Sequence, residues 1–273
     1  MQAIERHFVN VPAGTLHYAE CGEGRPVLLL HQTPRSWNEY RDVLPLLGRK
    51  RRAIAMDTIG FGDSSRLPSG EDSIERWADV AVSLLDVLEL PQAVVVGHHT
   101  GGYVGVELAA AHPDRVAALV LSGVALHPDG ARIADAEGRA VVDDVEPRSD
   151  GSHLVELWAM RAALYPEDID LLEQSMIDCL RAGPLAAEGH RVVARYPLGE
   201  RLPLVTCPTL ILAPTADAHA FPAVPGLDVA LPHARVTEIH GGMVPLPDQL
   251  PVPFAAAIDA FLGDVEEVGT RRA

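Results

Sequence analysis

Residues 93–111 hold the feature that most narrows the folds open to this chain. An unbroken apolar, β-branched run, Ala93-Val94-Val95-Val96, leads into Gly97-His98-His99-Thr100-Gly101-Gly102 and then into a helical stretch reaching Ala111. A strand buried on both faces, a glycine-bracketed turn and a helix form half of a β-α-β unit, from which parallel sheets are built. The glycines allow a sharp reversal, so the residue between them, His99, is presented at the end of the strand.

The same alternation recurs on both sides of this segment. Phe8-Val9-Asn10-Val11 and Leu16-His17-Tyr18-Ala19 flank Pro12-Ala13-Gly14 and read as a β-hairpin. Pro26 to Leu30 is a short buried strand, a helical pattern covers Trp37 to Leu47, and Arg52 to Met56 gives another strand. Between Ser73 and Leu90 the apolar residues Ile74, Trp77, Val80, Ala81, Leu84, Leu85 and Leu88 repeat with helical period, with Asp72 or Ser73 as cap. Strands follow at Val116–Leu121, Pro208–Leu212 and Arg235–Ile239, and a helix at Val252–Leu262. These elements predict an α/β fold with a mostly parallel, doubly wound sheet.

From about 127 to 196 the strands stop. An acidic stretch (Asp143, Asp144, Glu146, Asp150) gives way to helical patterns at Gly151–Leu164, Pro166–Arg181 and Leu185–Ala194. The expected organisation is a core of residues 1–126 and 197–273, with 127–196 as a helical cap over the C-terminal ends of the strands.

Composition sets the remaining bounds. The 273 residues are 48% hydrophobic and 22% charged, with a net charge of −16. Such a surface argues against nucleic acid or an anionic membrane as partner. No apolar run has the length of a membrane span, and the first residues lack a signal-peptide core. Cys21, Cys179 and Cys207 are odd in number, widely spaced and without a C-x-x-C pattern, which points to a reduced, cytoplasmic setting. Neither a dinucleotide fingerprint nor a P-loop is present, so no cofactor is expected.

Five segments in order resemble landmarks of the alpha/beta-hydrolase fold, and the resemblance covers nearly the whole chain. They are Leu30-His31-Gln32-Thr33-Pro34, Asp57 to Ser64, Val96 to Gly102, Leu212 to Asp217, and Ile239 to Pro245. In that family the segments carry, respectively, an oxyanion-hole amide, a structural turn, the nucleophile elbow G-x-S-x-G, the acid, and the catalytic histidine. Matched position by position, this chain has His99 for the nucleophile, Asp217 for the acid and Met243 for the base. A thioether takes no proton, so the serine-hydrolase mechanism is lost in its usual form.

The resemblance implies an oxyanion hole from the amides of Thr33 and Thr100, beside an imidazole rather than a hydroxyl. An imidazole is longer than a serine side chain and can reach into the space left at Met243, toward Asp217. The expectation is a His99–Asp217 dyad in which the carboxylate fixes the tautomer of a general base. That base suits hydrolysis of an ester, lactone or β-dicarbonyl compound. It equally suits proton abstraction in a lyase, isomerase or cyclase, and a protein that kept only a small-molecule pocket is a third reading. His31, Gln32, Trp37, His98, Trp158 and Met243 are the expected pocket lining. The chain has 12 histidines, several on the same loops, but adjacent His98 and His99 point apart and no metal site is expected. His240 is a remote substitute for the missing base. The oligomeric state is not legible.

Overall fold

The computed structural model describes residues 3–126 and 141–270. Eight strands among them form one sheet: β1 (Glu5–Val11), β2 (Gly14–Cys21), β3 (Pro26–Leu30), β4 (Arg52–Met56), β5 (Ala93–His98), β6 (Val116–Ser122), β7 (Thr209–Pro214) and β8 (Arg235–Ile239). Their spatial order is β1-β2-β4-β3-β5-β6-β7-β8. The pairs β1–β2 and β2–β4 are antiparallel and the rest parallel. This is the alpha/beta-hydrolase fold.

The central strands are apolar throughout because helices cover both faces, and their side chains still alternate. Leu28, Leu30, Val95, Leu119, Leu121 and Ile211 face one core, which includes Trp77 and Leu84 of helix α2 (Ile74–Val87). Val27, Leu29, Val94, Val96, Val120, Leu210 and Leu212 face the other, against Leu44 and Leu47 of α1 (Leu44–Leu47) and Phe254 and Ile258 of the helix Pro251–Thr270. Each fully buried aliphatic side chain contributes about 1.5–3 kcal/mol. The Ser73 hydroxyl caps α2 by accepting from the Arg76 amide, while Asp72 accepts from the Trp77 indole.

One element departs from expectation. Trp37–Leu47 is not one helix but a 3-10 turn at Trp37–Tyr40 followed by α1. Pro45 has no N–H and clashes with a preceding helical turn, so it starts a helix rather than continuing one.

The parallel register aligns the strand ends that carry the site. Leu30 of β3 lies beside Gly97 of β5, Gly97 beside Leu121 of β6, Ser122 beside Leu212 of β7, and Pro214 beside Ile239 of β8. The loops that follow these strands therefore meet along one edge of the sheet. Helix α3 (Thr100–Ala111) packs tightly on β3, since a β-carbon at Gly101 would lie 1.9 Å from the Leu30 carbonyl oxygen.

Between β6 and β7, the described residues hold helices and no strand: α4 (Ser152–Ala162), α5 (Ile169–Ala182), α6 (Leu185–Arg195) and short helical turns at Leu198–Leu204. The expected start of the cap, at 127–140, lies outside the described residues. Gly189 of α6 docks on the loop after β3, where a β-carbon would sit 2.5 Å from Thr33 Cγ2.

Candidate active site

His99 occupies the turn between β5 and α3 with φ 45° and ψ −113°. A non-glycine residue in that region costs about 1–3 kcal/mol, offset by the structure around it. Its amide donates to the Ser122 carbonyl at 2.8 Å, and its own carbonyl accepts from the Gly102 amide at 2.8 Å. Gly97 is required here, because a β-carbon on it would lie 2.2 Å from the Gly101 carbonyl oxygen.

The imidazole lies against Gly123 at the end of β6, and its Nε2 lies 2.8 Å from Oδ2 of Asp217. The approach is close but lies off the straight N–H···O line of a strong hydrogen bond. Oδ1 of Asp217 accepts from the amides of His219 and Ala220, each at 2.9 Å. The carboxylate is 1% exposed. Burial pushes its pKa up, but the His99 imidazole and the two amides outweigh this and hold it at about 2. The turn that binds the carboxylate also aims it at His99.

Edge-on against His99, at 4.7 Å between ring centres, lies His98. On another side the His219 ring stacks on it at 6.3 Å. With Nε2–H turned to Asp217, Nδ1 of His99 is the basic nitrogen, and no described residue bonds it.

A cavity of about 220 Å³ opens over this group. Gln32, Thr33, His99, Thr100 and His219 line it from the core, with Tyr103, Ala125 and Val244 between them. Val142, Arg161, Leu164, His190 and Val193 close it from the segment between β6 and β7. The Thr33 amide, expected to face a substrate oxygen, donates to the Thr100 hydroxyl at 3.2 Å.

Of the six residues expected to line the pocket, only Gln32 does so. His31 is buried, with Nδ1–H donating to its neighbour's carbonyl, that of Gln32, at 2.8 Å, and Nε2 accepting from the Thr58 amide at 3.0 Å. Burial lowers its pKa and keeps it neutral. His98 points into the protein: Nε2–H donates to the Val244 carbonyl at 2.7 Å and Nδ1 accepts from the Ser122 hydroxyl at 2.9 Å. Burial, and then His99, push its pKa well down. Its work is to tether the loop after β8.

Trp37 is held elsewhere, because its amide donates to Asp57 at 2.6 Å and its ring lies beneath the Arg6 guanidinium. Trp158 packs on the core cluster, while Arg161, one turn further along α4, takes the cavity wall. Met243 is tied through its amide to Gln249 at 2.7 Å and leaves the wall to Val244. His240 directly follows β8, is exposed and does not line the cavity.

The cavity residues absent from the expected set include one arginine and two histidines. Arg161 and His190 both contact Asp143: Arg161 through Nε at 2.8 Å and through Nη2, His190 through Nε2 at 3.1 Å. Burial pushes the Asp143 carboxyl up, but His190 and Arg161 bring it below its ordinary value. A usable signal existed for Arg161, which falls in the helical stripe Leu157, Arg161, Leu164 where an apolar residue belongs. His219 had only its nearness in sequence to Asp217.

Behind the cavity lies a buried ionic cluster. Arg35 donates to Asp178 of α5 at 2.9 Å and to Asp248 at 2.6 Å. Glu39 accepts from the Gln32 amide at 2.9 Å and from its side chain at 2.6 Å. Burial raises the Asp248 carboxyl to about 7 despite Arg35, with Glu39 adding to the rise. The cluster joins the loop after β3 to α5 and to the segment after β8. A second acidic group, His17 with Asp57 and Asp63, has the spacing of metal ligands, but Arg6 donates into it at His17 Nε2 (3.0 Å) and at Asp63 (2.5 Å). The guanidinium stands where a cation would.

Comparison with known proteins agrees with this architecture. A family model described as the alpha/beta hydrolase fold matches residues 25–146. The chain is 40% identical over 109 residues to 2-hydroxymuconate semialdehyde hydrolase of Pseudomonas sp. (strain CF600), 39% of this chain and 38% of that one. It is 34% identical over 137 residues to bifunctional epoxide hydrolase 2 of Rattus norvegicus, 49% of this chain and 25% of that one. The matches thus span well under half of either curated relative. A thermophilic esterase from Thermogutta terrifontis superposes with TM-score 0.74 and 26% identity, over 96% of this chain and 99% of that one. The chain thus has the alpha/beta-hydrolase fold, and over residues 25–146 its sequence is similar to that family. Both of these curated relatives are hydrolases of small molecules. Among the described residues no helix is long and apolar enough to cross a membrane.

Proposed function

We propose that this chain is a hydrolase of a small carbonyl compound, an ester, lactone or β-dicarbonyl, with His99 as general base and Asp217 as the group that orients it. The observation that carries the reading is the 2.8 Å approach of His99 Nε2 to Asp217 Oδ2 beside a cavity that His99 itself lines. Asp217 holds the tautomer with the proton on Nε2, so Nδ1 takes a proton from water. The hydroxide adds to the carbonyl carbon, and negative charge moves to the carbonyl oxygen. The Thr100 amide, at the start of α3, stabilises that charge, and the Thr33 amide joins it when the oxygen displaces the Thr100 hydroxyl. Collapse breaks the bond to the leaving group, which takes the proton from imidazolium. General-base catalysis of this kind supplies about 10²–10⁴-fold.

In this reading residues 127–196 act as a lid, which α6 anchors on Thr33 through Gly189. The three free cysteines support a cytoplasmic setting, and the reaction as drawn calls on no cofactor. A panel of activated esters, lactones and β-diketones tests the reaction class. Turnover that vanishes in His99→Ala supports the proposal. Deuterium exchange next to the carbonyl without cleavage would assign the same base to proton transfer, as in a lyase, isomerase or cyclase. Ligand binding with neither reaction would leave a non-catalytic pocket.

A further inference from the structure

Arg161 is a costly residue to build into a cavity roof whose other residues, His190 apart, are aliphatic. It is 2% exposed, and its neighbours along the cavity side, Leu164, Val142 and Val193, are aliphatic. Burying a guanidinium is favourable only when it is paired and hydrogen-bonded. Asp143 supplies the pairing but engages only the Nε and Nη2 side of the fork. Nη1 has no hydrogen-bond partner among the described residues, although Arg161 lines the cavity.

His190 leans on the same carboxylate from α6, so Asp143 is held between two nitrogen side chains and kept back from the cavity. A neutral, apolar substrate would leave the free edge of the guanidinium unsatisfied. An anion would use it in a water-poor setting, where a charge-assisted hydrogen bond is strong. One free nitrogen suits a planar carboxylate better than a phosphate, which calls for several donors around it.

Resting on the reading of this cavity as the reaction site, we propose that Arg161, backed by Asp143 and His190, is a binding subsite for a substrate carboxylate. The substrate is then a short carbonyl acid, with its carbonyl at Thr100 and His99 and its carboxylate at the opposite wall. Arg161 would select that substrate class while His99 performs the chemistry.

Binding of two non-hydrolysable probes to the full chain at pH 7, measured by calorimetry, tests this. The probes are 4-oxopentanoate, with a ketone at one end and a carboxylate at the other, and its neutral isostere 4-oxopentanamide. The wild type is expected to prefer the acid by about tenfold or more. Arg161→Lys keeps a cation for Asp143 but loses the fork, so the preference falls to within about threefold. Arg161→Gln/Asp143→Asn removes both charges without stranding either and is expected to lose it as well. His99→Ala keeps the preference, because the subsite does not depend on the base. Equal binding of the two probes by the wild type, no binding of the acid, or a preference that survives both Arg161 variants overturns the proposal. A His99→Ala protein with unchanged preference and full turnover would instead remove the role of His99 and leave the subsite standing.

Discussion

A β-carbon at Gly123 would lie 2.9 Å from Nε2 of His99 and 3.0 Å from its Cδ2. The imidazole therefore fills space that only a glycine leaves free, at a position whose φ of +60° also favours glycine. Gly123 follows β6 and donates its amide to Leu212 of β7, the strand that leads to Asp217. The ring is wedged between the two strand ends rather than swinging freely above the turn.

Substituting Gly123 with alanine is accordingly expected to displace the ring while leaving the fold intact. Activity should fall by about tenfold to a hundredfold, the scale of an ångström-level misplacement of a reacting group. Stability should fall by about 1–2 kcal/mol from the positive φ. Steady-state kinetics and urea unfolding of Gly123→Ala check both, and wild-type activity in that variant would mean that the position of the ring is immaterial.

Asp217→Asn removes the charge but keeps the shape. The amide no longer enforces the tautomer with Nε2 protonated, so turnover should drop by about 10²-fold, no further than on loss of the base it orients. The same carboxylate makes stability depend on acid. Its folded pKa of about 2 lies below the ordinary 3.8, so the unfolded chain binds the proton first as pH falls. Its contribution, about 2 kcal/mol, is therefore complete above pH 4 and is lost between pH 4 and 2. Acid unfolding of the wild type should be steeper in that window than that of Asp217→Asn.

Asp248 gives a dependence of the opposite sign. Its carboxyl is raised to about 7, so between pH 4 and 7 the folded state holds a proton that the unfolded state has released. Wild-type stability should decline across that window and level off above it. Asp248→Asn, which leaves Arg35 paired with Asp178 and near Glu39, should flatten the decline. Urea midpoints at pH 4.5 and 7.5 for the two proteins measure the difference.

Serine-directed organophosphates should leave this protein unlabelled at the turn after β5, because position 99 carries no hydroxyl. Ser64 and Ser65 are engaged structurally, Ser64 with the Asp57 carbonyl and the His17 amide, Ser65 with the Thr15 amide. Mass spectrometry after exposure to the reagent checks this, and a stable adduct on either serine would move the active site away from His99.

The sheet was legible in the sequence because each central strand is a largely continuous apolar run and several of the turns, such as Gly97–Gly102 and Gly60–Gly62, carry glycines. The Trp37–Leu47 segment misled because its apolar spacing fits a helix, while one proline imposes a break that periodicity does not register. His99 and Asp217 could be named from motif positions. The pocket wall could not, because the direction of a loop side chain is set by tertiary hydrogen bonds. His98 is turned inward by Ser122 and Val244, His31 by Gln32 and Thr58, and Trp37 by Asp57 and Arg6. Arg161 illustrates the reverse case, since a cation in an apolar stripe is visible in sequence but its partner Asp143 is 18 residues away.

Chemical rescue tests the central claim most directly. In His99→Ala the imidazole is replaced by open volume next to Asp217, and free imidazole added to the assay can enter it. Turnover of the best ester or lactone is expected to fall by about 10²-fold or more in the variant and to recover with saturating imidazole. Recovery should be absent in His99→Ala/Asp217→Asn, where nothing orients the added base. Wild-type turnover in His99→Ala without imidazole would contradict the account.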